Sequence, residues 1–239
     1  MNGRWWLTAL GCCSLWALTS CIPDGAPATS ASAVSAADGK SCGADGILDD
    51  SEDQNNQINT RKGRGGYWYV FADKLGSTTR PDAGGTFAMT AGGASGSAQA
   101  ARVSGKVGTG EVVFAGMGFN FVDPKGLYDA SAFKGIAFWA KASAGSATRV
   151  RMKIPSGDTD PEGKVCKDCF NDFGIDLDLT TTWTRYVVPL AAATQLAGWG
   201  SPRPEALDPS KLYGIQWQVN TPGATYDIWV DDIELTGCP

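Results

Sequence analysis

The chain has 239 residues, a formal net charge of −5 and no histidine. Lack of histidine excludes a Ser-His-Asp or Cys-His catalytic group and any His-ligated zinc, and the acidic balance argues against nucleic acid, whose phosphates need a basic face. Thirty-one glycines and nine tryptophans, with no sustained helical period, point to an all-β chain rich in turns.

Arg4 and the apolar stretch Trp5 to Leu18 have the charge and length of an export signal over residues 1–20, too short for a membrane span. Leu18-Thr19-Ser20-Cys21 resembles a bacterial lipobox, in which the cysteine thiol receives diacylglycerol and becomes the new N-terminus. That resemblance implies lipidation at Cys21 and membrane attachment through the lipid alone. With Ile22 and not Asp next, it implies an outer-membrane lipoprotein facing the periplasm or the cell surface. An ordinary cleaved signal with an incidental cysteine is the alternative. Residues 21–45 then comprise the lipidated cysteine and an Ala/Ser/Pro-rich tether without an aromatic residue, too poor in apolar surface to order itself.

Of the seven cysteines, Cys12 and Cys13 leave with the signal, and Cys21 is the lipid acceptor. Cys42, Cys166, Cys169 and Cys238 remain, an even number that implies two disulfides in an exported protein. Cys42 precedes the first strand and Cys238 follows the last, so a Cys42–Cys238 bond clasps the domain and Cys166–Cys169 closes locally. A redox or zinc C-x-x-C is the alternative, but neither a βαβ context nor a second ligand pair accompanies it. Asp49, Asp50, Glu52 and Asp53 repel one another unless they are solvated or neutralised. The clasp would carry them to Asp231-Asp232, and hard oxygens from both ends suit Ca²⁺; a solvated acidic turn is the plainer reading.

Along the domain, Tyr67, Tyr69 and Phe71 share one face of a strand and Trp68 and Val70 the other, and either face suits a core. Two further strands fall around residues 98–104 and 110–121, where Phe119 and Phe121 point one way and Asn120 the other. In Gly135 to Lys141, Ile136, Phe138 and Ala140 face inward, with Trp139 and Lys141 outward because lysine is rarely buried. Val150, Met152 and Ile154 alternate with outward Arg149, Arg151 and Lys153. Residues 156–172 form a long polar loop, 182–190 a strand and 196–200 a loop with an exposed Trp199. Leu212 to Leu235 reads as two strands joined at Pro222-Gly223. Ile215, Trp217 and Val219 alternate with Gln216, Gln218 and Asn220. In the second strand the apolar frame changes at Asp231-Asp232, the mark of a bulge or a bound cation.

About eight to ten antiparallel strands predict a two-sheet β-sandwich of jelly-roll type over residues 46–237. The outward row Asn120, Trp139, Arg149, Arg151, Lys153, Gln216 and Gln218 offers an aromatic plane for the C–H face of a sugar, with amides and cations for its hydroxyls. These residues are the candidate ligand site, for a polysaccharide or oligosaccharide, and the cations would favour an acidic one.

Leu48-Asp49-Asp50-Ser51-Glu52-Asp53, Gly135 to Lys141, Thr182-Trp183-Thr184-Arg185-Tyr186 and Ile228-Trp229-Val230-Asp231-Asp232-Ile233 occur in the order found in galactose-binding-like jelly rolls. As a set they resemble carbohydrate-binding modules of the family-11 type and their relatives in bacterial surface lipoproteins. The resemblance implies a sugar lying across the concave sheet and a structural calcium near the chain ends, held by Asp50, Glu52 and Asp231. It implies a monomeric, non-catalytic binder. Two other classes stay open: an adhesive envelope lipoprotein that binds another protein, and a hydrolase or lyase using Asp158, Asp160, Glu162 or Asp172, which would require two carboxyls at a fixed separation across a cleft.

Overall fold

The computed structural model describes residues 39–239; the signal, Cys21 and most of the tether lie outside the described residues. Twelve strands follow one another: β1 (Ile47–Asp49), β2 (Trp68–Ala72), β3 (Thr78–Arg80), β4 (Thr90–Ala91), β5 (Gln99–Lys106), β6 (Ala115–Asn120), β7 (Gly135–Ala142), β8 (Arg149–Ile154), β9 (Phe173–Asp178), β10 (Thr184–Pro189), β11 (Gly214–Val219) and β12 (Thr225–Thr236). The excess over the expected count comes largely from β1, β3 and β4, two or three residues each and too short to show a period.

The strands form two antiparallel sheets. One runs β10-β7-β12-β5-β3, with β1 added on β12 and β4 on β5; the other runs β2-β6-β11-β8-β9. The predicted sandwich is therefore present. The last two strands are not a hairpin, however: β11 lies in the five-stranded sheet and β12 in the seven-stranded one. The Pro222-Gly223 turn, with Gly223 at φ +74°, carries the chain from one sheet to the other.

The core lies between the inner faces. Val150, Met152, Ile154, Ile215, Trp217 and Val219 are fully buried from one side, and Ile136, Phe138, Ile228 and Val230 from the other. Trp217 sits at the junction. It stacks on Trp68 at 5.9 Å between ring centroids and meets the edge of Phe138, from the opposite sheet, at 5.2 Å. Such aromatic pairs add roughly 0.5–1.5 kcal/mol each beyond the area they bury.

The frame change in β12 is a bulge. The four residues from Asp231 to Glu234 oppose the three from Trp139 to Ala137, and Asp232 takes φ +47°. Ile233 and Leu235 thereby return to the core beside Ile228 and Val230.

Both disulfides form, with Cα–Cα distances of 5.8 Å for Cys42–Cys238 and 5.1 Å for Cys166–Cys169. The end of the predicted tether belongs to the domain. Ser41 bridges Thr236, and the Gly237 N–H donates to the Lys40 carbonyl at 2.8 Å. Composition misplaced these residues because strand pairing needs only their backbone.

Candidate functional site

The outer face of the five-stranded sheet is ordered in columns, one per strand. Tyr69 and Phe71 of β2 stand first, with their rings 6.2 Å apart, and Phe114 extends them at another 6.2 Å. Gly116 and Gly118 of β6 come next, then Gln216 and Gln218 of β11, Arg149, Arg151 and Lys153 of β8, and Gly174, Asp176 and Asp178 of β9. The two β6 glycines make a shallow floor. A Cβ at Gly116 would lie 2.9 Å from the Phe71 ring, and one at Gly118 would lie 2.8 Å from Gln216 Cγ. Any larger residue would displace the groups on either side.

The first three columns are arranged to receive hydroxyls. Gln216 Nε2 donates to the Tyr69 hydroxyl at 2.9 Å, which leaves Gln216 Oε1 and the Tyr69 O–H proton available. Burial pushes the Tyr69 phenol up to about 12. Gln218 Oε1 accepts from Lys153 Nζ at 3.4 Å, turning its amide donor outward. Asn120 is half-buried at the same face, one turn of the pleat from Gly118.

Six of the seven predicted ligand residues thus share one face, and Trp139 does not. Trp139 lies in β7 of the other sheet, between Arg185 and Asp231. Its outward orientation is as read; period two reports the face of a strand but not the sheet it joins. On the five-stranded face the adjacent rings are those of Tyr69 and Phe71.

The cations also play another part. Arg151 and Lys153 are only 5% and 8% exposed. Lys153 Nζ pairs with Asp172 at 2.9 Å and donates to the Phe170 carbonyl at 3.2 Å. Arg151 reaches Asp176 at 3.5 Å and the Thr194 carbonyl at 2.5 Å. Arg149 is exposed but faces Asp176 at 3.3 Å and Asp178 at 3.8 Å. The column is neutralised by its neighbours, so it gives no preference for an acidic ligand. Three of the four loop carboxylates are paired as well, Asp160 with Lys125 at 2.6 Å, Asp158 with Lys211 at 3.1 Å and Asp172 with Lys153, while Glu162 is exposed.

A depression of about 560 Å³ lies elsewhere, beside the Cys42–Cys238 clasp, lined by Asp45, Lys62, Tyr128 and Phe133. Its lining mixes Asp45, Lys62 and Asp129 with apolar walls and brings no amide row together.

The acidic residues gather at the chain ends as expected. Glu52 Oε1 accepts from the Ala98 and Gln99 N–H groups, both at 2.9 Å, and Asp231 Oδ2 accepts from the Ala94 N–H at 2.8 Å. Both therefore bind the 94–99 segment, while Asp50 stays exposed. Among the described residues no group of three or more Asp, Glu or Cys side chains is placed to hold a metal ion. Burial, with repulsion from Asp53 and Asp50, raises the Asp49 carboxyl to about 7; burial and Asp232 raise Asp231 to about 6. The Ser51 hydroxyl is fully buried there without a partner.

No protein-family model matches the sequence, and no curated protein matches it significantly. Solved structures do match in fold. A family 11 carbohydrate-binding module from Clostridium thermocellum, in complex with a β-1,3-1,4-mixed-linked tetrasaccharide, superposes with a TM-score of 0.56 at 19% identity, over 81% of this chain and 95% of that one. The family 11 module of a cellulosomal cellulase from the same organism gives 0.56 at 18% identity, over 80% and 94%. A family 30 module of another of its cellulosomal cellulases gives 0.50 at 13%, over 71% and 90%. The chain has the β-sandwich fold of these modules.

Proposed function

We propose that this protein is a non-catalytic glycan-binding module, displayed on the bacterial envelope through a lipid at Cys21, and that it binds a neutral polysaccharide across the outer face of the five-stranded sheet. The observation that carries this is the juxtaposition of the Tyr69 and Phe71 rings with the free donors and acceptors of Tyr69, Gln216 and Gln218 over a glycine floor. A pyranose offers an apolar C–H face ringed by hydroxyls, and this surface is its complement. The fold shared with modules that include one solved with a mixed-linkage tetrasaccharide supports the reading. The ion-paired state of Asp158, Asp160 and Asp172 supports binding without catalysis. The anchor rests on the Leu18–Cys21 motif alone.

Affinity electrophoresis through gels of mixed-linkage β-1,3-1,4-glucan and a panel of acidic polysaccharides tests the proposal. Retardation in the neutral glucan is expected. Tyr69→Ala should weaken binding by about 2 kcal/mol, near 30-fold, as for a central aromatic anchor. Trp139→Ala should leave it within twofold. The reverse ranking would move the site to the other sheet.

We also propose that calcium binds at the chain ends through Asp50, Glu52 and Asp231, supplying the positive charge that the buried carboxylates lack. A carboxyl whose folded pKa is raised holds its proton more tightly when folded. In calcium-free protein, stability therefore falls as pH rises from about 4, the unfolded value, through the folded values of about 6 and 7. Thermal melts in chelator should show a higher Tm at pH 5 than at pH 7.5, and calcium should raise the Tm at pH 7.5 much more than at pH 5. Equal calcium responses at both pH values would remove these carboxylates from the site.

A further inference from the structure

Two segments beside β9 are cross-linked into a wall. In the first, residues 164–172, the Cys166–Cys169 disulfide closes the bend. The second is residues 194–201. Asn171, 2% exposed, joins them: its Nδ2 donates to the Leu196 and Trp199 carbonyls at 2.9 and 2.6 Å, and its Oδ1 accepts from the Leu196 N–H at 2.9 Å. Asp168 Oδ2 accepts from the Gly200 N–H at 2.8 Å, and Asp168 bridges Ser201. A Cβ at Gly200 would come within 2.7 Å of Asn171, so the close approach depends on glycine there.

This fixed backbone holds large apolar side chains out in solvent. Phe170 is 58% exposed and Trp199 41%, with Val165 and Leu196 nearby in sequence and also exposed. Phe170 sits at φ +72°, and its main chain is pinned on both sides, the N–H to the Thr159 carbonyl and the carbonyl to Lys153 Nζ. A non-glycine residue is unusual in that region. Phe170 is held at both its N–H and its carbonyl, and Trp199 at its carbonyl, so the exposure of these rings does not come from loose chain. Phe170 and Trp199 stand on neighbouring main chain joined through Asn171, and exposed apolar groups so placed mark contact surfaces.

The wall also touches the floor of the sugar face. Lys153 Nζ bonds both Gln218 Oε1 on the floor and the Phe170 carbonyl in the wall. Arg151, beside Gln218 on the sheet, bonds the Thr194 carbonyl.

We infer that Phe170 and Trp199 form an additional pyranose subsite at the β9 margin, so that the module selects longer chains than its floor alone would hold. This rests on the glycan-binding reading above. Isothermal titration with mixed-linkage β-1,3-1,4-gluco-oligosaccharides of three to seven units tests it on the intact domain. Affinity of the unaltered protein should rise with chain length. Phe170→Ala and Trp199→Ala should each lose about 5- to 30-fold on the longest chain and under twofold on the shortest, so the length dependence flattens. Tyr69→Ala should weaken every length alike. If both wall variants keep the full length dependence while Tyr69→Ala still weakens binding, the subsite is wrong and the floor stands. If the unaltered protein binds none of the oligosaccharides, both readings fall. Far-ultraviolet circular dichroism and Tm should match for the wall variants, since neither ring is packed in the core.

Discussion

Replacing Cys42 and Cys238 together by serine is expected to lower the stability of the domain by about 5 kcal/mol. The bond joins residues 196 apart in sequence. In the chain-entropy account, closing so long a loop removes on the order of 5 kcal/mol of conformational freedom from the unfolded chain. The Cys166–Cys169 bond, at a separation of 3, is worth only about 2 kcal/mol on the same account. The native state gains from the clasp as well. It holds Ser41 against Thr236 and brings β1, with its carboxylates, onto β12. For a domain of this size, about 5 kcal/mol corresponds to a fall in Tm of roughly 10–20 °C. Urea unfolding of the double variant measures it. A midpoint unchanged within error would mean that the β1–β12 pairing alone closes the chain ends. Glycan affinity below the new Tm should be unaffected, because the sugar face lies on the opposite sheet.

Alternation within strands was legible in the sequence, and assignment of strands to sheets was not. Ile215, Trp217 and Val219 face the core, and Gln216 and Gln218 face out, as their period demands. The frame change at Asp231-Asp232 marked the bulge for the same reason: one inserted residue exchanges the faces. Trp139 illustrates the limit. It points outward from its strand as its neighbours require, but β7 pairs with β10 and β12, and those partners lie far away in sequence. The aromatic plane of the site was hidden by a different ambiguity. Tyr67, Tyr69 and Phe71 alternate with Trp68 and Val70, so both faces of β2 look apolar. A local signal existed in Gly116 and Gly118, because a strand with glycine at alternate positions leaves room for a ring from its neighbour. Arg151 and Lys153 point outward from β8, as their period demands. Their burial comes from the 156–172 and 194–201 segments folding over them, a tertiary event that no strand period records.

Those segments make Lys153 costly to neutralise. Asp172 is 2% exposed and Lys153 8%, and they pair at 2.9 Å. The second oxygen of Asp172 accepts from Thr159 Oγ1 at 2.6 Å, so the carboxylate cannot turn toward solvent without breaking that bond. Lys153→Met is expected to cost about 3–5 kcal/mol, since it leaves a buried carboxylate without its counter-charge. Replacing both partners, Lys153→Met with Asp172→Leu, should recover most of that loss, because an apolar pair of similar volume has no charge to desolvate. Chemical denaturation of the two single variants and the double one closes the cycle. A cost below about 1 kcal/mol for Lys153→Met would place the pair among solvated surface bridges. The double variant separates stability from recognition. Its fold is restored, but Gln218 Oε1 and the Phe170 carbonyl have lost their common donor. If the ammonium holds floor and wall in register, that protein should be stable and still bind short mixed-linkage oligosaccharides, yet gain less affinity with chain length than the unaltered protein does.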